Sequence, residues 1–453
     1  MPAKKFFVWI SFLYFLFIVS SNAIAQKEST VEHPEWSKNA SIYEVNVRQY
    51  TPEGTFKAFQ KHLPEIKKMG IGIIWIMPIN PIGVKNRKGT LGSYYSVKDY
   101  KAINPEFGTL KDFKNLVNEI HKQGMHVIID WVPNHSSWDN VLTKTNPEFY
   151  KKDSLGNFIP PNPEWTDVIS LNYNNPRLWI YMEGAMEYWI KECDIDGFRC
   201  DHPGEIPLSF WNFARKELEK IKPIFMLAEI ESPGFHEHAF DMTYTWEFHH
   251  LLKKIYNGEV NADSLNKYFM KERNNYNPDA YRMVFTTNHD ENSWNGTAFQ
   301  RYGDAVKTFT VLCGVVKGMP LIYGGQEAGL NKALRFFDKD TIEWKKSSFR
   351  NLYTKLIHLK LNNKALWNGL YGGEMEIVKT VNDNDDKIFS FIREKENNKV
   401  FAVFNLSPEN QKVKINNYKI TGSYKDFFEN KKISFASDFN IELPPWGYKI
   451  YVK

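Results

Sequence analysis

Two charged side chains flank a single cysteine at the end of the stretch DGFRCD, at positions 196–201. An apolar run that fills a core does not usually close on an arginine and an aspartate. On an extended strand, residues two apart share a face, so Arg199 and Asp201 point the same way. A fixed cation lowers the pKa of a carboxyl beside it, and arginine is always charged. Arg199 can therefore hold Asp201 ionised and aimed, as a nucleophilic carboxylate requires. Other polar groups end other apolar runs: Asp130, Asn134 and His135 in DWVPNH, Glu229 in LAEIE, and His289 and Asp290 in TTNHDEN. Singly, each reads as a helix cap, a turn residue or a satisfied surface group. Gathered at one rim, they can do more. Two carboxylates flanking a bond to an anomeric carbon split a glycoside when about 5 Å apart, one attacking the carbon and one protonating the leaving oxygen. Glu229 follows FMLA and precedes Ile230. An apolar surround of that kind raises a carboxyl pKa and suits the proton donor.

These groups need a scaffold that brings strand ends together. Eight short runs rich in Ile, Val, Phe and Tyr recur at 41–47, 71–77, 125–130, 195–200, 225–230, 240–244, 282–287 and 319–324. Helix-period segments lie between most of them, such as 55–70 and 109–124. The second carries Leu110, Phe113, Leu116, Val117 and Ile120 at helical spacing, with Gly124 just past the end. Alternating strands and helices predict an α/β fold with a parallel sheet, and eight pairs predict a closed (β/α)8 TIM barrel. An open doubly wound sheet would carry a glycine-rich phosphate loop after the first strand; this chain has QYTPEG there. In a barrel, the site lies where strands end and loops begin.

Residues 136–175 form one long connection rich in Pro, Asn and Asp, predicted to be a short domain B that walls the barrel mouth. After about residue 366 the pattern changes. Strands at 388–394, 400–406, 412–418 and 448–453 without intervening helices predict a C-terminal all-β sandwich. The expected division is a leader at 1–25, a barrel at 26–366 and a β domain at 367–453.

Composition bounds the function. The 453-residue chain has 14 Trp and 23 Tyr, flat rings of the sort that face sugars. Its formal charge of +5 forms no basic stripe, which excludes nucleic acid as an implied partner. Cys193, Cys200 and Cys313 lie in apolar patterns and read as buried thiols. Residues 1–25 join a short positive end, an apolar core and the small residues AIA before Gln26. That describes a cleavable signal and predicts a secreted or periplasmic protein. No later stretch is apolar enough to span a membrane.

DWVPNH, GFRCD, AEIE and TTNHDEN resemble, in order, the four short signature regions of the α-amylase superfamily of glycoside hydrolases. GSYYSVKDY (92–100), NPEFGTLKDFKNLV (104–117) and IYGGQE (322–327) extend the resemblance along most of 36–330. It implies Asp201 as nucleophile, Glu229 as general acid and base, and Asp290 as the group holding sugar hydroxyls. It implies that His135 and His289 bond the same sugar, that Tyr95 lies under it, and that Arg199 orients Asp201 with Asp130. The implied reaction is hydrolysis of α-1,4-glucosidic bonds of starch or maltooligosaccharides with retention. Transfer to a second sugar from the same intermediate is the alternative, and a catalytically inactive sugar-binding homologue is a third reading. No cofactor is required for that chemistry. Asn134 matches an asparagine that binds a structural calcium in some relatives, or else it caps its own turn. One departure stands out. Many relatives carry Lys or His three or four positions after the nucleophile, where this chain has Gly204 and Glu205. His202 is adjacent to Asp201 and is not assigned to the site.

Overall fold

A computed structural model describes residues 31–382 and 384–453. The expected leader lies outside the described residues. Among these, no helix is long and apolar enough to cross a membrane. All eight predicted runs form strands, and their hydrogen-bonded order closes a parallel barrel. The strands are β1 (Ile42–Val45), β2 (Ile73–Ile76), β3 (His126–Trp131), β4 (Gly197–Cys200), β5 (Phe225–Ala228), β6 (Met242–Tyr244), β7 (Tyr281–Val284) and β8 (Met319–Tyr323).

Two apolar layers hold the barrel. Alternate residues, among them Ile42, Ile73, Ile128, Leu227, Met283 and Leu321, fill its interior, with Trp36 packed against the base. The remaining strand residues meet the surrounding helices in a second, larger core. Leu110–Lys122 shows why these helices form where they do. Thr109 accepts from Asp112 N while Asp112 answers Thr109 N, a capping box. Phe113, Leu116, Val117 and Ile120 are buried on one face. The 55–70 segment is not one helix. It breaks into Phe56–Gln60 and Leu63–Met69, because Pro64 sits in the first turn of the second and lacks the N–H a continuous helix needs.

The excursion after β3 is compact. Its edges pair as a small antiparallel ribbon, His135–Ser137 against Val168–Ser170. The C-terminal region is a sandwich of a six-stranded antiparallel sheet and the pair Gln411–Asn416 with Asp438–Leu443. Between them lies a core that includes Phe401, Val413, Ile415, Ile441 and Tyr451.

Candidate active site

Period-2 alternation builds the site. The interior face that presents Ile42, Ile73 and Ile128 lower in the barrel presents Glu44, Trp75 and Asp130 one step further along the same strands. Arg199 lies directly across the ladder from Asp130. Its guanidinium is fully buried and touches three carboxylates. Its Nη1 donates to Asp130 Oδ1 at 2.9 Å and to Asp201 Oδ1 at 2.8 Å. Its Nη2 lies 2.8 Å from Glu229 Oε1. Its Nε donates to the Tyr244 hydroxyl at 3.2 Å.

The structure thus brings Asp130, Asp201 and Glu229 around one cation at the carboxyl ends of β3, β4 and β5. Burial alone would raise the Asp201 carboxyl; the His202, Arg199 and His135 side chains outweigh it and hold the group below its ordinary value. Burial raises Glu229, and Asp201 and Asp290 reinforce that against Arg199 and His202. Burial pushes Asp130 up to about 7, against the pull of Arg199. Two neighbouring carboxyls therefore diverge in opposite directions, the pattern that separates a nucleophile from a proton donor.

Past the end of β7 sits a second polar knot. His289 Nδ1 lies 2.5 Å from Glu44 Oε1, and Nε2 lies 3.1 Å from Asp290 Oδ2. Burial opposes the charged ring, but these two carboxylates raise its pKa well above the usual value. In turn, Asp290 is held at about 2 despite its burial penalty, chiefly by His289. The Tyr95 hydroxyl lies 2.7 Å from His289 Nε2 and donates to Asp130 Oδ2 at 3.0 Å. It joins the two knots.

A cavity of about 440 Å³ opens above these groups, lined by Tyr95, His135, Asp201 and Asp290. His135 is buried and held neutral, its pKa lowered to about 4 chiefly by burial. Glu229 does not line that volume; its carboxylate lies behind, against Arg199 and the backbone N–H of His202 at 3.1 Å. His202, left unassigned on sequence, does line it, as do Trp165, Trp294, Phe336 and Phe337. Glu44 and Tyr244 were also missed. Glu44 had a signal: a carboxylate on the inward face of SIYEVNV. The aromatic residues of the loops had none, since their approach depends on tertiary folding.

The donors around Asn134 do not fit a calcium ion, which takes six to eight oxygens. Its side-chain oxygen meets His135 Nδ1, and its backbone oxygen accepts from Leu171 N at 2.9 Å. Asp139 and Asp167 of the same excursion are paired with Lys98 and Lys88. Asp201, His202 and Glu229 offer donor atoms within 4.8 Å of one another. The Arg199 guanidinium already contacts both of those carboxylates at 2.8 Å and offsets their charge.

Comparison with known proteins gives a consistent set of matches. The family model described as the catalytic domain of alpha amylase matches residues 26–155 and 163–398. The C-terminal domain of maltogenic amylase matches 378–450. The crystal structure of a noncanonic maltogenic alpha-amylase, AmyB from Thermotoga neapolitana, superposes with a TM-score of 0.84 at 31% identity, covering 92% of this chain and 99% of that one. Alpha-amylase 2 of Dictyoglomus thermophilum is 25% identical over 437 residues, 88% of this chain and 74% of that protein. An alpha-1,4-glucan:maltose-1-phosphate maltosyltransferase of Picrophilus torridus is 27% identical over 413 residues, 84% of this chain and 62% of that protein.

Proposed function

Because this chain belongs to the α-amylase family, a glycoside hydrolase acting on α-glucans, we propose that it cleaves α-1,4-glucosidic bonds of starch or maltooligosaccharides with retention. One observation carries the reading: Asp201 and Glu229 offer oxygens within 4.8 Å of each other. Inverting enzymes hold their carboxylates about 6.5–9.5 Å apart to admit a water, so this spacing supports double displacement.

In the first step an Asp201 oxygen attacks the anomeric carbon while Glu229 delivers its proton to the departing glycosidic oxygen. In the second, the Glu229 carboxylate takes a proton from water, the hydroxide attacks that carbon, and Asp201 leaves as carboxylate. Arg199 keeps Asp201 ionised and aimed. Asp290 and His289 bind hydroxyls of the sugar, His135 bonds it from the excursion side, and Tyr95 lies beneath it. Transfer to a sugar in place of water uses the same intermediate, and the similarity to a maltosyltransferase favours keeping it as the second reading. Export as a secreted or periplasmic enzyme follows from the leader; a mature N-terminus at Gln26 in the exported fraction supports it, and an intact Met1 there overturns it.

The test is Asp201→Asn. Turnover of maltooligosaccharides should fall at least about 10⁴-fold while the variant still folds, as expected when a nucleophile is lost. Proton NMR of the first product should give the α-anomer. Retained activity in the variant, or a β-anomer, overturns the assignment.

A further inference from the structure

His202 occupies a place that the reaction just described leaves unexplained. It follows Asp201 in the left-handed region, at φ 40 and ψ 47. A β-carbon residue adopts that conformation at a cost, and it persists where surrounding structure enforces it. The surroundings do so here. The next turn is pinned by Glu205 N to His202 O at 3.2 Å and by the Trp211 indole N–H to Pro203 O at 3.1 Å. Beyond it, a β-carbon at Gly204 would stand 2.8 Å from Ile230, so the turn packs closely on the chain that follows Glu229. The result is that both the backbone and the ring of one residue turn toward the carboxylates. The N–H donates to Glu229 Oε2 at 3.1 Å. One ring nitrogen lies within 4.8 Å of an oxygen of Asp201 and of Glu229. The outer side of the ring is backed by Trp165 of the excursion, with centroids 5.1 Å apart.

We propose that His202 is a positioning residue for the acid–base carboxyl: its N–H and ring hold Glu229 beside Asp201, with Trp165 fixing the ring. This rests on the assignment of Asp201 and Glu229 above. The charged groups facing the ring are Asp201, Glu229 and Asp290 on one account and Arg199 on the other, with His135 on the excursion side. Burial opposes the charged ring, but the carboxylates prevail and its pKa is raised. A cationic ring lowers the pKa of both carboxyls. Removing it moves both upward.

The experiment compares the full-length protein with His202→Gln on maltotriose, whose departing oxygen needs a proton, and on α-maltosyl fluoride, whose leaving group does not. The expected result is a loss of kcat/KM of about tenfold on maltotriose and about twofold on the fluoride, a modest part of what a general acid contributes. Both limbs of the pH profile should move up by about half a pH unit, the sign expected when a nearby cation is removed. Equal losses on the two substrates with unmoved limbs mean a merely structural role and overturn the inference. Should the variant fail to fold, the His202 ring is followed by NMR in the unsubstituted protein and in Glu229→Gln. A titration lowered in Glu229→Gln supports the inference; an unchanged one overturns it. Failure of the underlying reading is separate: it appears as no turnover of either substrate by the unsubstituted protein.

Discussion

Arg199 is the residue on which the chemistry turns. It is fully buried, and its guanidinium faces Asp130, Asp201 and Glu229 at once. Breaking a buried charge network by removing one partner leaves the others uncompensated, at a cost of about 3–5 kcal/mol. Arg199→Met should lose stability on that scale in urea unfolding. Its remaining activity should have an acid limb displaced to higher pH, because Asp201 without the cation binds its proton more readily. In the unsubstituted protein, the acid limb should lie below the ordinary carboxylate range, since Asp201 is depressed, and the alkaline limb above it, since Glu229 is raised. A pH profile of kcat/KM checks both signs. An acid limb unmoved by Arg199→Met would separate the guanidinium from Asp201 ionisation.

At the scale of elements, the register of β4 against β5 aims these side chains. Gly197 opens β4 with φ +151, and a β-carbon there would fall 1.9 Å from Phe225 O on the neighbouring strand. Only glycine permits that approach. Gly197→Ala should therefore push β4 off β5, two residues before Arg199, and lower stability by about 3 kcal/mol or more. Urea unfolding measures the loss, and a change under about 1 kcal/mol would show that the strands can part without cost. The barrel strands were legible because each lies in a short apolar run that is buried on both faces. Several C-terminal strands were not. Met375–Ile377, Gly422–Asp426, Lys432–Phe435 and Asp438–Leu443 each bury few residues and show Lys, Ser, Glu or Asn to solvent. An apolar-run reading passes over such strands, and only pairing reveals them.

The whole molecule carries a joint of a different kind. Arg393 of the C-terminal sheet donates to the carbonyls of Gly373, Val315, Val316 and Trp367 at 2.7–3.2 Å. Lys360, on the last barrel helix, donates to Gly318 O at 3.2 Å and Leu366 O at 2.6 Å. Burial, with Arg393 nearby, lowers the Lys360 pKa well below its usual value. The folded lysine gives up its proton at a lower pH than the unfolded one, which keeps it to about pH 10.4, so between the two values the unfolded state binds more protons and stability rises with pH. As pH rises toward about 10.4, the unsubstituted protein should gain stability relative to Lys360→Met, by at most about 1.4 kcal/mol per pH unit. Parallel stability curves for the two proteins would contradict a lowered Lys360 pKa.

The amino-acid sequence alone determined the barrel and the inventory of reactive groups. Strand period, helix period and the polar residues that close each apolar run are local features, and Asp130, Arg199, Asp201, Glu229, His289 and Asp290 could all be read from them. It did not determine which groups share a charge. The three-way contact of Arg199, the His289 bridge between Glu44 and Asp290, and the turn of His202 toward Glu229 depend on register across a closed sheet and on loops meeting from distant parts of the chain. Distances of a few ångströms decide those contacts, and only the packed fold sets them.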